Sequence, residues 1–250
     1  MFDRAVEEGE RRLDQSLLEL VSTSFIAGFT IVFGLVALGI VEALFVPRFE
    51  ELARLAGALA FGVGVVFLVA GRTELFNENF LDPAAAAVSG PGGWRVADLL
   101  RLWSLTLVFN LLGGALFVAV FSIQGALPVG TGSALVGKAV ESAHRGLAGS
   151  FARAIAGGAL VSIMSFLLAG ADSDGSRLAI AYVVGFLLAL GPFEHVVVTL
   201  LHIQFGIVFG GAIGYEAVAV TAVVVTAGNL VGGLGLVTVT HVTQAMGERA

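Results

Sequence analysis

Long apolar runs recur along almost the whole of this chain, and they constrain its fold more than any other feature. A helix needs ~20 apolar residues to cross a bilayer core. In lipid every backbone N–H and C=O must be bonded internally, so such runs have to be helical. The first run is Ser24–Val46, stopped by Pro47. The second starts after Arg54 as Ala56–Gly71, meets the polar cluster Arg72-Thr73-Glu74-Leu75-Phe76-Asn77-Glu78-Asn79, and resumes as Phe80–Gly90, ending at Pro91-Gly92-Gly93. The third is Asp98–Ile123, followed by a polar, Gly-rich connection from Gln124 to Gly149. The fourth is Phe151–Ala171, closed by Asp172-Ser173-Asp174-Gly175. The fifth runs from near Arg177 to Leu190, meets Gly191-Pro192-Phe193-Glu194-His195, and continues from Val196 to Gly214. The sixth is Glu216–Val242.

Composition agrees. Only 13% of the 250 residues are charged, against about 25% in a soluble domain, so a water-facing surface cannot be covered. This excludes a soluble enzyme, a secreted domain and a disordered chain. The 34 glycines suit closely packed membrane helices. Cysteine is absent, which removes disulfides, thiol chemistry and Cys-ligated metal, and no cofactor is expected. A net charge of −6 offers no basic patch for nucleic acid. Met1 to Leu20 is charged and polar, unlike a cleaved signal peptide. Its amphipathic pattern (Val6, Leu13, Leu17, Leu18, Val21) predicts a surface helix over residues 1–22.

The two interruptions carry the information about function. Irregular backbone at membrane depth is tolerated only inside protein or beside a water-filled cavity, and discontinuous helices at matching places in two halves point to a transport site. The halves match here. Asn110-Leu111-Leu112-Gly113-Gly114 and Asn229-Leu230-Val231-Gly232-Gly233 are offset by 229 − 110 = 119 residues, and the same offset carries Arg72–Phe80 onto Gly191–Thr199. The expected fold is therefore an all-α polytopic membrane protein, one transmembrane unit over 1–250, with six helices of which the second and fifth are broken. Its repeats cover 24–123 and 151–242. Three spans per half make the repeat inverted. With the N-terminus cytoplasmic, inside segments hold Arg4, Arg11, Arg12, Arg95, Arg101, Arg177 and Arg249, and outside segments hold Arg48, Arg54, Lys138, Arg145 and Arg153. This balance favours a cytoplasmic N-terminus.

His195 is the sharpest candidate, because an ionisable residue inside a membrane is costly and histidine changes charge near neutral pH. It is either a proton donor to a passing weak-acid anion or a neutral side chain that stabilises the break. Glu194 either orients His195 or caps freed backbone N–H groups. Thr73 and Asn77 offer donors to an anion, as do the N–H groups of a broken helix. Arg72 and Glu74 either contact substrate or close the loop through an Arg72–Glu74 or Arg72–Glu78 ion pair. Asn110 and Asn229 read as ties to broken backbone. His202, two turns past His195, either shares its face or lies near headgroups. His144 and Arg145 are either a lure for anions or solvated loop charges.

Leu75-Phe76, Phe193-Glu194-His195 and the two Asn-Leu-x-Gly repeats together resemble the formate/nitrite transporter family over nearly the whole chain. The resemblance implies a homopentamer in a cell membrane, each protomer having its own pore in an aquaporin-like fold that moves small monovalent anions such as formate, nitrite, lactate or hydrosulfide. It makes His195 the central pore histidine and Glu194 its neighbour. It puts Leu75, Phe76 and Asn77 on a mobile loop, where the family usually has Leu-Phe-Thr. Phe61 and Val65 fall on one apolar constriction and Leu188 on the other. Ser162 stands where the family often has a pore-facing Asn, and Thr199 replaces an Asn after the histidine. Arg145 lies one position from the family's basic residue at the periplasmic mouth. The Arg72-to-Asn79 run resembles a divergent branch. The implied mechanism draws the anion to a vestibule, binds and protonates it at His195, and passes the neutral acid through the apolar rings. The rival readings are a pore for small neutral solutes such as water or glycerol, a membrane-embedded enzyme and a non-transporting scaffold. The chain has no Asn-Pro-Ala at either break, and no His-Glu-x-x-His or Gly-x-Ser-x-Gly motif.

Overall fold

The computed structural model describes residues 1–46, 48–89 and 94–248. Pro47, Pro91-Gly92-Gly93 and Arg249 lie outside the described residues. Among the described residues every regular element is helical. In chain order these are α1 (Phe2–Leu13), α2 (Leu17–Phe45), α3 (Glu50–Ala70), a single 3-10 turn (Phe76–Asn79), α4 (Asp82–Ser89), α5 (Val96–Phe121), α6 (Thr131–Ala143), α7 (Leu147–Gly170), α8 (Asp174–Leu190), α9 (Val196–Val208) and α10 (Tyr215–Leu230). α10 continues through wide π-type turns (Val231–Thr238) into α11 (Val239–Glu248).

Among the described residues, five helical stretches are long and apolar enough to cross a membrane: Leu17–Phe45, Leu52–Ala70, Val96–Phe121, Leu147–Gly170 and Tyr215–Glu248. The protein is a multi-pass, all-helical membrane protein. The fifth apolar run of the sequence is divided between α8 and α9, of 17 and 13 residues. At 1.5 Å per residue these reach only about 26 and 20 Å, each short of a ~30 Å core. The second run is divided likewise between α3, the 3-10 turn and α4.

Helix starts follow local chemistry. The Ser16 hydroxyl accepts from the Glu19 N–H and caps α2. Leu17, Leu18 and Val21 therefore belong to α2, and the expected surface helix over 1–22 is confined to Phe2–Leu13. That shorter helix packs against α4 and α7, with Ala5, Gly9 and Leu13 buried. Ser173 and Ser176 form a reciprocal capping box that starts α8. The connection from Gln124 to Gly149 contains α6, which buries Leu135, Ala139 and Ser142 and packs on α9.

α2 packs most extensively on α3 and α5, α3 on α8, and α7 on α10. Leu55, Leu59, Val63 and Phe67 of α3 are exposed at helical spacing, as are Val108, Leu112, Leu116 and Val120 of α5. Apolar stripes of this length suit lipid or another protein surface rather than water.

Candidate functional site

Two asparagines organise the two breaks. The Asn110 amide donates to the carbonyls of Ser24 (2.8 Å) and Glu74 (2.9 Å), and its oxygen accepts from the Phe76 N–H at 3.0 Å. The Asn229 amide donates to the carbonyls of Ala154 and Glu194, both at 2.7 Å, and its oxygen accepts from the Val196 N–H at 2.9 Å. Each side chain thereby pairs two backbone groups that a broken helix leaves free, which in a dry interior would otherwise cost ~1–3 kcal/mol each, and ties the break to a carbonyl of a continuous helix, α2 or α7. The bonds align Glu74 with Glu194 and Phe76 with Val196, an offset of 194 − 74 = 120. The offset of 119 drawn from the asparagines is thus one residue short at the breaks, and Leu75 rather than Phe76 corresponds to His195. Gly28 and Gly158 make the approach possible, since a Cβ there would run into the backbone carbonyls of Asn110 and Asn229.

The breaks also touch each other. The Asn77 amide donates to Asn229 Oδ1 at 2.9 Å, leaving Asn77 Oδ1 buried without a partner. The Thr73 hydroxyl donates to the Leu68 carbonyl at 3.1 Å, near the end of α3. The Thr73 hydroxyl and one of the two N–H donors of Asn77 are therefore already engaged within the protein.

His195 closes the second break. It is only 1% exposed, and both ring nitrogens are buried with no hydrogen-bond partner among the described residues. The ring borders a cavity of about 40 Å³ whose walls include Phe61, Leu188, Phe193, Thr199 and His202. Glu194 faces the same cavity and is held at both oxygens: Oε2 accepts from the Thr199 hydroxyl at 2.6 Å, and Oε1 pairs with Arg145. The Arg145 side chain is 13% exposed and also bonds Glu141 at 2.6 Å, so it is not a solvated loop charge.

On the other side of the first break, α1 brings cations to a larger opening of about 610 Å³. Arg12 donates to the Glu78 carbonyl and to Asn79 Oδ1, both at 3.0 Å, and lies 3.7 Å from Glu74 and 4.0 Å from Asp82. Arg11 and Gln15 bond Glu74 at 3.3 and 3.0 Å. The expected Arg72–Glu74 or Arg72–Glu78 pair does not occur among the described residues. Arg72 is exposed in a left-handed turn (φ 49°), and Glu74 is neutralised from α1 instead. Burial works against the Arg12 charge, but Glu74, Asp82 and Glu8 outweigh it and hold its pKa above the usual range. Burial likewise raises Glu8, but bonds from Arg11 and the charge of Arg12 bring it down to about 2.

The formate/nitrite transporter family model matches residues 1–243. The chain belongs to the formate/nitrite transporter family. A probable formate transporter of Methanothermobacter thermautotrophicus is 29% identical over 238 residues, covering 86% of this chain and 84% of the relative. A solved FNT family ion channel superposes with a TM-score of 0.83 at 16% identity, covering 96% of both chains. A pentameric formate channel with formate bound gives 0.73 at 19% identity, covering 92% of this chain and 97% of that one.

For a formate/nitrite transporter family member, the residues implied by the resemblance divide into two groups. His195, Glu194, Thr199, Phe61 and Leu188 meet at one cavity. Val65 is buried and packs against Gly185 of α8. Leu75 and Phe76 are buried at the first break, where the Phe76 ring meets Phe80 edge-on at 5.0 Å. Ser162 lies against Gly233, its Oγ buried without a partner, and it does not line the His195 cavity. Sequence reasoning missed Arg11, Arg12 and Trp103, whose indole donates to the Asn79 carbonyl at 2.8 Å. The adjacent arginines of the N-terminal amphipathic stretch were the available signal for the first two.

Proposed function

We propose that this protein conducts small monovalent weak-acid anions, of the formate or nitrite class, across the cell membrane, with a proton moved at His195. One observation carries the reading: a fully buried histidine whose ring nitrogens have no protein partner faces a small cavity walled by Phe61 and Leu188. Buried polar groups are nearly always bonded, and a free ring at this place suits a transient ligand. A bare anion meets a steep desolvation cost at an apolar ring. Protonated His195 gives its proton to the anion, leaving neutral histidine and neutral acid; the acid crosses, and His195 is reprotonated from water. Thr199 and Arg145 hold Glu194 beside it.

The matching ties of Asn110 and Asn229 support an inverted three-plus-three repeat over 24–123 and 151–242, within one unit over 1–250. In this reading α3 with α4, and α8 with α9, make the second and fifth of six spans in an aquaporin-like fold. The fold shared with a pentameric formate channel supports a homopentamer. The arginine balance supports a cytoplasmic N-terminus, with α1 on that side. Leu75, Phe76 and Asn77 form the loop of the first break, Val65 completes the constriction at Phe61, and Ser162 takes the place of the family's pore-facing Asn.

The test is stopped-flow uptake into proteoliposomes of formate, acetate, lactate, nitrite, hydrosulfide and glycerol, from about pH 5 to 8 across the histidine range. Wild type is expected to show saturable anion flux that rises with acidity, and His195→Asn to lose about 10²-fold of it. Full flux in the variant removes the proton step. Glycerol flux alone identifies a neutral-solute pore, and no flux of any solute a scaffold.

A further inference from the structure

We infer that His202 and Lys138 form a second binding station for the anion, outside His195, an inference that rests on the transport reading above. His202 lies on α9, and seven residues at 1.5 Å each set its backbone about 10 Å along the helix from His195. It is 5% exposed, its Nε2 is buried without a partner, and it lines the same cavity as His195. No hydrogen bond holds the ring among the described residues, so its packing on α6 does not by itself account for an imidazole rather than an apolar side chain.

Lys138 supplies the charge. It lines the His195 cavity and also an outer cavity of about 480 Å³ bordered by Glu42, Arg54 and Glu141, so it stands where the two meet. Among the other cations of this mouth, Arg145 is engaged with Glu194 and Glu141, Arg153 lies 3.9 Å from Glu141, and Arg54 borders the outer cavity but not that of His195. Lys138 makes no ion pair within 4.0 Å among the described residues. A cation and a ring N–H donor lining one small cavity, with Leu38, Phe61, Leu188 and Phe193 as its apolar wall, recognise a compact oxyanion. Two stations in series also meet a requirement of conduction, that binding be favourable enough to enter yet weak enough to leave. His202 and Lys138 collect the anion, and His195 protonates it.

Two measurements test this. In proteoliposome uptake of formate, His202→Leu is expected to raise the half-saturating concentration about tenfold while the maximal rate stays within about twofold, the pattern of lost ground-state binding. Lys138→Met is expected to act in the same direction, and His202→Gln, which keeps a donor, to recover most of the affinity. Unchanged half-saturation in His202→Leu overturns the station, whereas loss of maximal rate in His195→Asn alone leaves the transport reading intact. Independently of flux, formate titrated into solubilised wild-type protein is expected to shift a ¹³C-histidine ring resonance saturably. That resonance is assigned to His202 by its absence in His202→Gln. A resonance that does not move overturns the station, even if the protein transports formate; a shift in a protein that transports nothing supports the station and refutes the transport reading.

Discussion

At the first break Asn110 holds the backbone of Glu74 and Phe76, and at the second Asn229 holds that of Glu194 and Val196. Both breaks carry a glutamate at the corresponding place, neutralised by arginine from a separate segment: Arg11 and Arg12 of α1 at the first, Arg145 at the second. The residue between the tied groups differs. It is Leu75 at the first break, in contact with the core, and His195 at the second, with an unbonded ring. The surroundings differ as well. The first break is packed on by α1, holds buried Glu74, Glu78 and Asp82 and lines an opening of about 610 Å³, while the second lines a cavity of about 40 Å³. A Cβ on Gly157 of α7 would run into the Glu194 carbonyl, and the residue that corresponds to it in α2 is Ala27. Pairing the free backbone groups is a requirement of burial, so the device occurs at both breaks. The side chain between the tied groups is free of that requirement, and it is leucine at one break and histidine at the other.

The largest expected effect breaks the tie itself. Asn229→Ala leaves unpaired the Glu194 carbonyl, the Val196 N–H and the Asn77 amide, while Asn110→Ala leaves the Glu74 carbonyl and the Phe76 N–H. At ~1–3 kcal/mol per buried unpaired group, both variants are expected to lose much of their folded yield. Asn229→Ala should be worse by about one such group. Thermal melting in detergent followed by size exclusion checks this; equal losses mean the Asn77–Asn229 bond contributes nothing.

A smaller effect separates the two counter-charges. Removing one partner of a buried ion pair costs ~3–5 kcal/mol. Arg12→Met deprives Glu74 and Asp82 of a cation and also removes the bonds to the Glu78 carbonyl and Asn79, whereas Arg145→Met affects Glu194 and the exposed Glu141. Hydrogen exchange across Phe2–Leu13 is expected to speed up markedly in Arg12→Met and to stay unchanged in Arg145→Met. The same exchange in both variants would show that α1 docks without Arg12.

The smallest effect is a pH dependence confined to the α1 side. The Glu8 carboxyl is depressed in the folded protein from 4.5 to about 2. Its contribution is therefore complete above pH 4.5 and lost as pH falls from there toward 2. Exchange protection of α1, corrected for intrinsic rates, is expected to fall over that window, and Glu8→Gln to flatten the profile. Unchanged dependence in Glu8→Gln assigns the effect to another carboxylate.

Hydropathy and residue type made the membrane class, the helical fold, both interruptions, the asparagine pair and the candidate histidine legible in the sequence. These depend on local periodicity, on runs that only lipid tolerates and on ionisable groups placed inside them. What those side chains touch was not legible. Asn77 meets Asn229 across 152 residues, and Gln15 and Arg12 reach Glu74 and Asn79 from a separate helix. Arg145, for which the sequence left open a lure for anions or a solvated loop charge, is mostly buried beside Glu194. Helix α6 was hidden in a Gly-rich connection, since its apolar face is interrupted by Ser142 and shows only against α9. The one-residue correction of the repeat offset came from hydrogen bonds, because spacing between motifs carries no record of how a broken strand of backbone is tied. Sequence alone determined that a polar break sits in an apolar helix twice. Only the tertiary structure decided which polar groups are engaged by the protein and which remain free, because that depends on neighbours distant in the chain.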